Sequence, residues 1–114
     1  MSYNFMSNIP DFSVVATGDK AFDDVYKDTE IIFQDKNNIR HDASFLMIRA
    51  GYDSDLLIQL KPSEYCIYIP AGEMWSVDSI GEIEKFIVKE IFDPNDDEKV
   101  PIESGKIQWM IGYK

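Results

Sequence analysis

The chain is poor in the residues that most often do chemistry. It has one histidine and one cysteine among 114 residues. With His41 alone, neither a histidine-based triad nor a multi-histidine metal site can form within one chain. His41 lies between Arg40 and Asp42 in a polar stretch, where an exposed loop position is expected. Cys66 alone excludes an intramolecular disulfide. It stands in the apolar run EYCIYIP, so a buried or half-buried thiol is expected rather than a nucleophile. Arginine occurs only at positions 40 and 49, and no glycine-rich phosphate loop is present.

Long hydrophobic runs are also missing. No stretch reaches the roughly 18 apolar residues of a membrane-spanning helix. MSYNFMSNIP has neither the basic start nor the apolar centre of a secretory leader, so an intracellular product, or a component of something assembled in a cell, is expected. Positive charge is scarce: 11 basic against 21 acidic residues leave a formal net charge of −10. That field repels phosphates and anionic lipid, so neither nucleic acid nor membrane is expected as a direct partner.

What remains is enough for a core. Hydrophobic residues make up 45% and aromatics 13% of the chain, which suits one packed domain. Residues 1–24 mix single aromatics with Asn, Ser, Gly and Asp and read as an extended N-terminal arm, with one short strand at Phe12–Ala16. Residues 25–114 read as the folded domain. VYKDTEIIF places Val25, Lys27, Thr29, Ile31 and Phe33 on one face, with Ile31 and Phe33 as its core pair. ASFLMIRA and LLIQL are the next strands, parted by the turn GYDSD, with Leu46, Ile48 and Ala50 sharing one face and Leu56, Ile58 and Leu60 another. EYCIYI puts Tyr65, Ile67 and Ile69 on one side. Pro70 ends it and Ala71-Gly72 turns the chain, with Glu73 in water beyond the turn.

EIEKFIVKEIF tolerates a helix, but Phe86 and Val88 alternate against Ile83, Lys85, Ile87, Lys89 and Ile91, and a strand is expected. DPNDDEKVPIESG is a polar hairpin loop. KIQWMIGYK alternates most cleanly, with Ile107, Trp109, Ile111 and Tyr113 on one face. Seven or eight short strands without crossover helices predict an all-β, antiparallel β-sandwich, either jelly-roll or Ig-like.

No spacing points to a cofactor, and none is expected. Asp93, Asn95 and Asp97 match the start of a calcium loop, but Glu98 stands where glycine is needed and Ser104 where the last glutamate is needed. The carboxylates Glu64, Glu73, Glu82 and Glu84 are read as acidic surface rather than a glycosidase pair. No catalytic residue is assigned.

The segment FLMIRAGYDSDLLIQL…YCIYIPAGEMWSVDSI…EKFIVKE…GKIQWMIGYK resembles small β-sandwich virion proteins of tailed bacteriophages. The likeness rests on the IRA-G strand ending, an Asp-apolar strand, the IPAGE corner before an aromatic, and a short terminal strand. It covers about Ala43–Lys114 and leaves Met1–Asp24 outside. Ala50 stands where such proteins commonly have asparagine. The resemblance implies a structural role, in many copies, as a capsid, neck or tail accessory. Its partners would be other virion proteins and its place the virion. The expected contact residues are Tyr3, Phe5, Met6, Ile9 and Phe12 in the arm, with Trp75 as core or subunit contact. The competing expectation is a carbohydrate- or receptor-binding module using Tyr52, Tyr65 and Trp75 as an aromatic platform.

Overall fold

A computed structural model describes residues 13–16 and 22–113. Among these the chain forms nine strands and no helix: β1 (Ser13–Ala16), β2 (Asp23–Tyr26), β3 (Glu30–Ile32), β4 (Ala43–Ala50), β5 (Asp55–Lys61), β6 (Cys66–Ile69), β7 (Met74–Ile83), β8 (Lys85–Phe92) and β9 (Ser104–Tyr113). One sheet has the order β1-β9-β4-β7, with β2 also on β9; the other has the order β3-β8-β5-β6. Every pairing between named strands is antiparallel.

β1 and β2 occupy successive stretches of the same edge of β9, opposite Tyr113–Met110 and Ile107–Ser104. They are one strand position in two pieces. Eight positions, four per sheet, in this interleaved order make a jelly roll, which settles the choice left open between jelly-roll and Ig-like sandwiches. The sheet takes in Ser13–Ala16, while Met1–Phe12 lies outside the described residues.

The alternating apolar residues fill the space between the sheets. Leu46 and Ile48 from β4, Ile107 and Ile111 from β9, Leu56 and Ile58 from β5, and Phe86, Val88 and Ile91 from β8 are fully buried. Each such side chain contributes about 1.5–3 kcal/mol relative to exposure. Phe33, Phe86 and Trp109 tie the sheets together, with ring centroids 5.5 Å (Phe33–Trp109), 6.1 Å (Phe33–Phe86) and 6.4 Å (Phe86–Trp109) apart.

VYKDTEIIF is two strands, not one. Asp28 takes a left-handed conformation (φ 68) and donates its N–H to the Val88 carbonyl at 2.7 Å. The turn carries the chain from one sheet to the other. Val25 and Phe33 are buried and Ile31 packs against the core. In EIEKFIVKEIF, Phe86 and Val88 point inward. The register then shifts: Val88 faces Ile58 and Glu90 faces Leu57, so Lys89 is the extra residue and Ile91 turns in. A bulge inverts the phase that simple alternation predicts.

Candidate functional site

Three connections meet at one end of the sandwich: β4–β5, β6–β7 and β8–β9. The Pro70–Glu73 corner is a tight turn in which Glu73 donates its N–H to the Pro70 carbonyl at 3.0 Å. Gly72 holds the third position at φ 78, where a side chain would be strained. The Tyr52 ring lies against it, 2.8 Å from where a Cβ would stand. Gly72 N–H also reaches the Gly51 carbonyl at 3.0 Å, so the corner is pinned to the β4–β5 turn.

Asp55 is the polar centre of this end. Its side chain is 5% exposed. Oδ1 accepts the Ala71 N–H at 2.8 Å and Oδ2 accepts the Tyr68 hydroxyl at 2.5 Å. Lys99, left-handed in the β8–β9 loop (φ 57), places Nζ 2.5 Å from the Tyr68 oxygen, 3.5 Å from Asp55 Oδ2 and 4.7 Å from the Tyr68 ring centre. Burial raises the Asp55 carboxyl, but the Tyr68 hydroxyl, the Ala71 N–H and Lys99 outweigh it and leave it below its ordinary value. Burial, then the bond to Asp55, pushes Tyr68 up. The contact with Tyr68 raises Lys99 above its ordinary value. The three shifts favour a carboxylate, a neutral phenol and an ammonium, which is an arrangement for holding loops together. None of the shifts moves its group toward the neutral range where a general acid or base works best.

The calcium-like loop is turned on itself. Asp93 Oδ1 accepts the Asn95 N–H and Asp96 Oδ1 the Glu98 N–H, both at 2.9 Å. Among the described residues, no three His, Cys, Asp or Glu side chains stand together as a metal site.

His41 and Cys66 depart from their sequence expectations. His41 is half-buried rather than an exposed loop residue: it stacks on Tyr113 at 3.6 Å between centroids, and its Nε2 lies 2.7 Å from Asp35 Oδ2. Asp35 is lowered by the His41 contact first, then by the Ile39 and Asn37 N–H groups. Cys66 is exposed, because Ile67 and Ile69 face the core and alternation sends Cys66 and Tyr68 outward.

Of the predicted contact residues, Tyr3, Phe5, Met6, Ile9 and Phe12 lie outside the described residues. Trp75 is half-buried on β7 and packs against the core. Tyr52 and Tyr65 are 76% and 60% exposed, but stand at opposite ends of β5. They share no platform, and Tyr65 precedes β6 rather than joining Ile67 and Ile69 in the core. The signal that the sequence reading passed over is on the other side of the molecule. Met47 and Met110 pair directly across β4 and β9, and Met74 pairs with Arg49, on the outer face of the first sheet.

The chain matches no protein-family model, no curated protein and no solved structure.

Proposed function

We propose that this chain is a non-enzymatic structural protein of a tailed-bacteriophage virion, built in several copies into a capsid, neck or tail as an accessory. The observation that carries this reading is the jelly-roll sandwich with a methionine-bearing outer face on a chain of net charge −10. A rigid body of this kind is used in capsid and lectin domains alike. The step from fold to virion is analogy, joined to the sequence resemblance over Ala43–Lys114. Mass spectrometry of purified particles tests it: a fixed, multi-copy stoichiometry is expected. A chain absent from its particles, and monomeric at all concentrations, overturns it.

A carbohydrate-binding module is the second reading. It is favoured by Tyr52, which offers an exposed ring on a corner fixed by Gly72. Glycan-array binding lost on Tyr52→Ala would select it. Trp75, packed against the core, is a poor participant.

A further inference from the structure

Three of the five methionines lie on one surface. Leu46, Ile48 and Ile111 face inward and are fully buried, so their strand neighbours Met47 and Met110 face out. Met47 and Met110 are half-buried and Met74 is 55% exposed. Ser76 lies opposite Met47 in the same row, and the exposed Arg49 stands on β4 between Met74 and Gln108 in the next row. Unbranched, polarisable methionine adapts to irregular partners, and clusters of it mark adaptable binding surfaces.

The segment best matched to this surface is in the chain itself. Residues 1–10 carry no Asp, Glu, Lys or Arg, although the chain has 32 such residues (11 basic plus 21 acidic). They supply Tyr3, Phe5, Met6 and Ile9, with Phe12 just before β1. A segment without charged side chains brings no further charge to the face it covers, and its backbone carbonyls can accept from the Arg49 guanidinium; Asp11 follows these ten residues. Twelve extended residues reach up to about 40 Å, well beyond the roughly 17 Å of five strand residues.

The direction of β1 favours a second copy over the chain's own face. β1 is antiparallel to β9, with Ser13 opposite Tyr113 and Ala16 opposite Met110. Followed toward the N terminus, the chain at Ser13 heads past the end of β9. Met110 lies behind it, and the Arg49–Met74 pair, level with Gln108, lies further back still. At Ser13 the chain is therefore directed away from its own methionine face. We infer that the Met1–Phe12 arm of one copy docks on the Met47–Met74–Met110 face of a second copy. This inference rests on the multi-copy reading above.

The test uses the full chain with a photo-crosslinking phenylalanine analogue at Phe5, prepared as an equal mixture of isotopically light and heavy copies. Crosslinks from the arm to peptides holding Met47 or Met110, with mixed light–heavy pairs, are expected. Deleting Met1–Phe12, or introducing Met74→Asp, is expected to weaken self-association at least tenfold by native mass spectrometry. Crosslinks to the face only within one copy overturn the inference, as does self-association unchanged by both variants. If copies still assemble without the arm, the inference fails and the structural-protein reading stands. A chain that is monomeric in every form and absent from particles removes both.

Discussion

Removing the Asp55 carboxylate should unlatch one end of the sandwich. In Asp55→Ala the Ala71 N–H and the Tyr68 hydroxyl lose their acceptor, and Lys99 loses its buried counter-charge. Stranding a buried donor costs about 1–3 kcal/mol, whereas Lys99, about half exposed, is left to water and adds little. Two donors are stranded and water can reach Tyr68 once the loop loosens, so the loss is about 3 kcal/mol. For a domain of this size that lowers Tm by roughly 10–15 °C. Urea unfolding followed by tryptophan fluorescence measures it, since Trp75 and Trp109 both pack against the core. Tyr68→Phe removes the bond to Asp55 and the one from the solvent-exposed Lys99, and should cost about 1–2 kcal/mol. The double variant should cost less than the sum, because both changes break the same contact. The pH dependence has a definite sign. A carboxyl whose folded value is lowered stabilises fully above its unfolded value of about 3.9, and that contribution fades as pH falls through the folded value. The gap between wild type and Asp55→Asn should therefore be flat above about pH 5 and close in stronger acid. A loss under about 0.5 kcal/mol for Asp55→Ala, or strict additivity with Tyr68→Phe, would refute the latch.

The close approach of β9 to the β4–β5 turn is testable by volume. A Cβ on Gly105 would stand 2.4 Å from Ser54 Oγ and 2.9 Å from Ser54 Cβ, and Ser54 is fully buried. Gly105→Ala should destabilise by about 1–3 kcal/mol in thermal unfolding, with part of the loss recovered by adding Ser54→Gly. Cys66 should react with a thiol reagent in the folded protein at nearly the rate of the urea-unfolded chain; strong protection would contradict its outward position on β6.

How far the sequence could be read depended on the range of the forces involved. β9 and β4 are long, alternating and centrally paired, so the pleat alone told which residues turn inward. The same alternation, applied strictly to Ile67 and Ile69, would have placed Cys66 outside; the apolar look of EYCIYIP obscured it. Two deviations came from backbone devices. The left-handed Asp28 splits one apparent strand, and the bulge at Lys89 reverses which isoleucine is buried. Nothing local announces either, since aspartate and lysine are ordinary turn and surface residues. The contacts at the loop end and at His41 were out of reach for a different reason. Asp55 meets Tyr68 across 13 positions and Lys99 across 44, and His41 stacks on Tyr113 from the far end of the chain. Only the jelly-roll wiring brings those residues together. The methionine face was legible in part, because Met47 and Met110 fall on the outward phase of two recognised strands, but their pairing required the register.

For the proposed association the fold favours a face over an edge. β3 has three residues, and β6 has four and stops at Pro70. The β1/β2 edge is in two pieces, and on β7 the register breaks after Asp78, where residues 79–82 are set against the single Ser44. Short and interrupted edges discourage strand addition. The outer face of the second sheet carries Lys85–Glu30, Lys61–Glu64 and Lys27–Glu90 pairs at 2.8, 3.0 and 3.1 Å. Such pairs add little stability, yet a partner docking over them must strip water from both charges. The outer face of the first sheet has Ser76, Met47 and Met110 in one row and Met74, Arg49 and Gln108 in the next, while Asp78 and the Lys106–Asp24 pair lie beyond those rows. With Arg49 as the one charged residue in those two rows, it costs less to dehydrate than the ion-paired face, and residues 1–10, which carry no Asp, Glu, Lys or Arg, could cover it without adding a second charge.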